Sequence, residues 1–177
     1  MGYSHHYRIT TTSSEWRNSW PNFVKDVKLI IEASSVGITD PRGFDENGGN
    51  YRNDNDPDRI TIPIPPPIVD QTRGIGINGI GDGAHEPLLI DCQGHLPRAS
   101  VTTGRKPYDE VVTCVLVRAF MVAPHSCSIT SDGDWDDWVD GRTLYTQIWG
   151  EMPLCPWGGV FPTPPQKVSP ACRCCIM

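Results

Sequence analysis

Aromatic or apolar and polar residues alternate at the start of the chain, where Tyr3, His5, Tyr7 and Ile9 interleave with Gly2, Ser4, His6 and Arg8. A period of two belongs to an extended strand with unlike faces, so residues 1–9 predict an N-terminal strand. The period then lengthens. Phe23, Val27, Ile30 and Ile31 fall on one helical stripe, and residues 19–34 predict an amphipathic helix with Pro21 in its first turn and Gly37 beyond its end. Residues 74–80 and 88–92 read as two strands joined by a turn at Gly81-Asp82-Gly83. Residues 108–122 are apolar almost all round, which predicts a helix buried at the centre of the fold, with Asp109 capping its start and Pro124 after its end. A short strand at 126–130 and an amphipathic helix at 134–149, carrying Trp138, Leu144, Tyr145, Ile148 and Trp149, complete the pattern. The order predicts an α+β fold in one domain, a small mixed or antiparallel sheet packed with about three helices.

Two segments break the periodicity. Residues 40–58 are rich in aspartate, asparagine and glycine and offer too little apolar surface to offset their own ordering, so they predict an inserted acidic surface loop. Ile60-Thr61-Ile62 suits a short strand, and the prolines at 63, 65, 66 and 67 exclude that stretch from a sheet interior. Beyond Gly150 prolines return and periodicity ends. The expected organisation is therefore a globular domain over 1–150 and a proline-rich tail over 151–177.

Four short motifs occur in order: Gly2-Tyr3-Ser4-His5, Asn78-Gly79, Arg105-Lys106-Pro107-Tyr108-Asp109 and Ser131-Asp132-Gly133-Asp134-Trp135. The set resembles a group of uncharacterised small proteins of bacteria, phages and fungi with a GYTHY-like start, a KTARKPYD-like helix start and an SDG-like turn. The resemblance covers residues 1 to about 150 and implies domain limits. It implies no chemistry, and the loop at 40–67 and the tail stand outside it.

Composition narrows the functional classes. A net charge of −6 with no basic cluster opposes phosphate backbones, so nucleic acid is not an expected partner. No stretch approaches the ~20 apolar residues of a membrane span, the N-terminus lacks the pattern of a secretory leader, and a cytosolic location is expected. Seven irregularly spaced cysteines make a poor disulfide framework and fit a reducing compartment. Cys174-Cys175-Ile176-Met177 fits the C-a-a-X pattern, with Cys174 as a farnesylation candidate. A single lipid anchors only reversibly, so Cys172 is the candidate for a palmitoyl second signal.

Candidate chemistry is sparse. Gly74-Ile75-Gly76-Ile77-Asn78-Gly79 spells G-x-G-x-x-G, but prolines precede it and no helix opens at its third glycine, so it reads as strand and turn, and no cofactor is expected. Asp132, Asp134 and Asp136 have an alternate spacing reminiscent of a calcium loop. The glycine and bidentate glutamate of such a loop are missing, so these acids fit a helix start better than a metal. His5 and His6 face opposite sides of a strand and cannot share an ion. A catalytic group of His5, Asp109 and Asp132 would pair imidazole with carboxylate for proton transfer. The plainer reading has Asp109 capping, Asp132 shaping a turn and His5 packing with Tyr7. Ser131 lacks a nucleophile elbow.

The expectation from sequence is a membrane-tethered interaction or adaptor protein, with a protein partner or self-association and a lipid anchor. Its rivals are a self-assembling structural protein and a small hydrolase-like enzyme using His5, Asp109 and Asp132. An enzyme requires a concave pocket where its polar residues converge; an assembly protein requires broad apolar patches.

Overall fold

The computed structural model describes residues 2–43, 64–91 and 99–157. Strand β1 (Ser4–Ile9) keeps the alternation of its sequence, with His5, Tyr7 and Ile9 buried and His6 and Arg8 exposed. It is the middle strand of a three-stranded antiparallel sheet, between β6 (Ala99–Thr102) and β7 (Cys127–Ser131). His5 stands opposite Val101 on one side and Ser131 on the other.

Helix α1 (Ser14–Ala33) begins earlier than its aliphatic stripe predicts. The Ser13 hydroxyl accepts the Trp16 amide at 3.0 Å, and Trp16, Trp20 and Phe23 pack ring against ring before the aliphatic stripe of Val24, Val27 and Ile30 begins. Pro21 consequently lies inside the helix and not in its first turn. Its ring forfeits the amide bond that residue 21 would give to Arg17.

A second antiparallel sheet is built around β4 (Gly74–Gly79), with β2 (Ile38–Thr39), β3 (Ile68–Asp70) and β5 (Leu88–Ile90) as its neighbours. Every residue of β4 is buried, and the glycines of the G-x-G-x-x-G string let neighbours close on the backbone. A Cβ on Gly79 would stand 2.1 Å from the Gly83 carbonyl. The string is thus a buried strand leading into a short 3-10 turn at Gly81–Gly83, as its context predicts. Two phenols join the layers: the Tyr7 hydroxyl donates to the Leu89 carbonyl and the Tyr108 hydroxyl to the Glu86 carbonyl, both at 2.6 Å.

Helix α2 (Asp109–Val122) is the central element, packed against both α1 and α3 (Val139–Trp149). Val111 to Val117, Ala119 and Phe120 are all buried, and Leu116 is fully enclosed. The architecture is α+β: two small antiparallel sheets and three helices around one core among the described residues. Gly150, at φ 72°, ends α3 in a left-handed turn.

The chain does not leave the domain there. Pro153 and Pro156 are buried, and the Trp157 ring sits 5.0 Å from that of Trp138 and 5.8 Å from that of Trp135. Packing therefore continues to Trp157, seven residues past the expected limit at Gly150. Cys172, Cys174, residues 60–62 and most of the acidic segment 40–58 lie outside the described residues. Among those described, no helix is long and apolar enough to cross a membrane.

Candidate functional site

Asp109 is the first residue of α2, yet its side chain does not cap the helix. It turns inward, where Oδ1 accepts from His5 Nε2 at 2.7 Å and from the Thr103 hydroxyl at 2.5 Å. His5 and Thr103 are completely buried, while the Asp109 side chain keeps 17% of its surface exposed. A capping serine would have satisfied the helix; the carboxylate satisfies the core instead.

The other imidazole nitrogen, His5 Nδ1, lies 2.9 Å from the Ser131 hydroxyl oxygen. That oxygen also accepts from the Gly133 amide at 3.1 Å and from the Trp138 indole N–H at 3.3 Å. A hydroxyl has two lone pairs and one hydrogen. With both lone pairs engaged, its hydrogen faces His5 Nδ1 at 2.9 Å, nearer than the Ser4 carbonyl at 3.5 Å. Nε2 then carries the imidazole proton and donates it to Asp109. Donor counting thus orders the array: Ser131 to His5 to Asp109. Tyr3 and Trp138 enclose the imidazole edge-on, at ring separations of 5.0 and 4.8 Å.

Asp132 is not part of this array. Ser131 is the residue of β7 that faces His5; the Asp132 carboxylate instead accepts the Ser4 amide at 2.9 Å and approaches His6 at 3.8 Å, with about half its side chain exposed. Of the three residues expected to converge, the structure brings together His5 and Asp109, and Ser131 stands where Asp132 was expected. The remaining acids organise a turn. Asp134 Oδ1 accepts the amides of Asp136 and Asp137, and Asp137 Oδ2 accepts the amide of Asp134 in return, the reciprocal pattern of a helix start. The Asp136 carboxylate points outward, 3.5 Å from Arg142. Among the described residues no three His, Cys, Asp or Glu side chains are grouped to hold a metal ion.

A cavity of about 320 Å³ opens at Asp109, between the first turns of α2 and α3. Arg105, Lys106, Glu110, Asp137, Asp140 and Gly141 contribute to its wall. Arg105 has a left-handed backbone, φ 58°, that lays its guanidinium 3.9 Å above the centre of the Tyr3 ring and 2.9 Å from Asp137. This guanidinium holds the Asp137 carboxyl below its ordinary pKa. The Lys106 ammonium donates to the Asp82 carbonyl at 2.8 Å. Both cations of the wall are therefore engaged by protein groups, whereas Glu110 receives only a 3.4 Å bond from Ser34. Burial lifts the Glu110 carboxyl above its ordinary pKa; the Ser34 hydroxyl opposes that rise and the charge of Asp140 adds to it. The cavity thus presents more negative than positive charge to a small molecule.

No protein-family model matches the chain, and no curated protein or solved structure is significantly similar to it. The resemblance carried by the four short motifs therefore stands on those motifs alone. Three of them meet at the site nonetheless: Gly2-Tyr3-Ser4-His5 supplies the imidazole, Arg105-Lys106-Pro107-Tyr108-Asp109 the carboxylate, and Ser131-Asp132-Gly133-Asp134-Trp135 the hydroxyl. Thr103, Trp138 and Tyr3 complete the surroundings and carried no chemical signal of their own in the sequence.

Proposed function

We propose that the domain is a small hydrolase-like enzyme acting on a polar, amine-bearing amide or ester bound in the cavity at Asp109. The observation that carries the reading is the placement of Asp109: one carboxylate oxygen is fixed by His5 and Thr103, and the side chain forms part of the cavity wall. Fixing one oxygen leaves the other to accept a proton from an attacking water and return it to the leaving group. Glu110 and Asp140 supply the charge that seats an ammonium group. Ser131 is not the nucleophile, because its lone pairs are already committed to Gly133 and Trp138. This reading is put ahead of a tethered adaptor because it rests on a fixed carboxylate in the wall of a cavity.

The test is turnover of a panel of N-acetylated diamines and small amino esters by the whole protein, paralleled by amide-resolved NMR titration. Substrates should shift the amides of Asp109, Glu110 and Gly141, and Asp109→Asn should lower turnover by about a hundredfold or more. Absence of both turnover and shifts at millimolar concentration would remove the reading.

A further inference from the structure

The three-stranded sheet has two outer strands, β6 and β7, whose free edges are treated differently by the fold. Register fixes where each backbone group points. Asp132 donates its amide to the Ser4 carbonyl and Thr10 donates to the Ser126 carbonyl, so the even-numbered residues of β7 share the hydrogen bonds with β1. Cys127, Ile129 and Ser131 therefore turn their N–H and C=O groups away from β1. On the other side of the sheet, β6 turns Thr102 outward and Glu86 closes that edge. The Thr102 amide donates to the Glu86 carboxylate at 2.8 Å, and the Thr102 carbonyl accepts the Glu86 amide at 3.1 Å. Among the described residues, nothing bonds the outward backbone groups of β7 in this way.

Buried backbone groups are almost always paired, so unpaired ones lie at water, and an edge of this kind is a template for another strand. Proteins commonly blunt such an edge with a lysine, a proline or a bulge. β7 has none of these: its sequence is Cys-Ser-Ile-Thr-Ser, and it runs opposite β1 from Cys127 to Ser131 without a skipped residue. We propose that this edge pairs with the β7 edge of a second copy of the chain, antiparallel and centred on Ile129, so that two three-stranded sheets become one of six strands. An antiparallel edge is its own complement, because each outward residue offers a donor and an acceptor side by side. Centring on Ile129 sets that residue against its equal and Cys127 against Ser131, which engages every outward group of the strand. The strand of a second copy is already extended and of the same length, whereas a loose peptide must first be ordered. Ser128 and Thr130, both exposed, face each other across the seam as hydroxyls. Two chains of net charge −6 thus meet along strands that carry no charge.

The experiment is sedimentation velocity of the full chain from about 1 to about 500 µM, with residue-resolved amide exchange at both ends of that range. The mass should rise from 19.6 kDa toward twice that value. The amides of Cys127, Ile129 and Ser131 should gain protection as the dimer forms, while those of Ser128 and Thr130, which face β1, are protected throughout. Ser128→Glu combined with Thr130→Glu places carboxylates beside Arg8 and His6 of the same chain, which suits the fold, and opposite each other across the seam. That variant should dimerise at least about tenfold more weakly. Ser128→Glu combined with Thr130→Lys sets opposite charges across the same seam and should recover the wild-type affinity. A monomer at every concentration, with the Ile129 amide exchanging freely, overturns the proposal. So does a dimer that the paired glutamates leave intact, because its interface lies elsewhere. Protection of Ile129 that does not depend on concentration overturns it too, since a segment of the same chain would then cover the edge.

Discussion

Glu110 and Asp109 are neighbours in sequence with different fates. Asp109 is satisfied by two donors, whereas Glu110 lines the same cavity with a single long bond from Ser34. Burial raises the Glu110 carboxyl above its ordinary value of 4.5, so the folded state holds that proton more tightly than the unfolded chain. The resulting stability is complete below pH 4.5 and is lost as pH rises through the raised folded value. Glu110→Gln should remove this fall, seen as a flatter dependence of the urea midpoint on pH above 4.5. The site was half legible at this scale. His5 and Asp109 are recognisable as imidazole and carboxylate, but Ser131 lacks the local turn of a nucleophile and carries no signal of its own. Its role comes from a cross-strand register, His5 opposite Ser131, which one sequence does not reveal.

Among elements, α2 was the most legible, since an apolar circumference can only be satisfied by burial. The hairpin of β4 and β5 was equally plain from its glycine turn. Strand β6 gives no period in sequence because its Ala-Ser-Val-Thr run buries only Val101 completely, and β2 and β3 are too short to show one. Aromatic spacing misled at α1, where Trp16 and Trp20 lie on the buried face ahead of the aliphatic stripe. A tight helix contact is also sequence-silent: a Cβ on Gly141 of α3 would fall 2.1 Å from the Thr113 hydroxyl oxygen of α2 and 2.9 Å from the Cys114 amide. Gly141→Ala must push the helices apart beside the cavity. A loss of about 1 to 3 kcal/mol in chemical unfolding is expected, the usual cost of forcing atoms into a packed contact, despite the better helix propensity of alanine.

For the molecule as a whole, two thiols report on the integrity of the core. Cys114 lies in α2 and Cys127 in β7, both buried, and burial pushes each thiol far above its ordinary range. The thiolate is the reactive form, so neither should react with an alkylating reagent until the core opens. Among the cysteines of the described residues, mass mapping should find Cys155, which is only partly buried, modified first, with Cys114 and Cys127 following together at a rate that rises with urea as global unfolding does. Modification of Cys114 alone in native buffer would show instead that α3 lifts from α2 as a separate unit.

The position of β1 has a consequence for how the protein is made. Strand β1 is the middle strand of its sheet, and both of its partners, at residues 99–102 and 127–131, are synthesised long after it. At about 5 to 20 residues per second, β1 waits several seconds or more with both hydrogen-bonding edges open. During that wait the nascent chain offers an unpaired strand carrying Tyr7 and Ile9, the kind of segment that pairs wrongly with neighbouring chains. Trimming those residues as a dispensable leader would remove the seam that joins β6 to β7, along with the imidazole between Ser131 and Asp109. The strand of this sheet that is made first is the last to be enclosed.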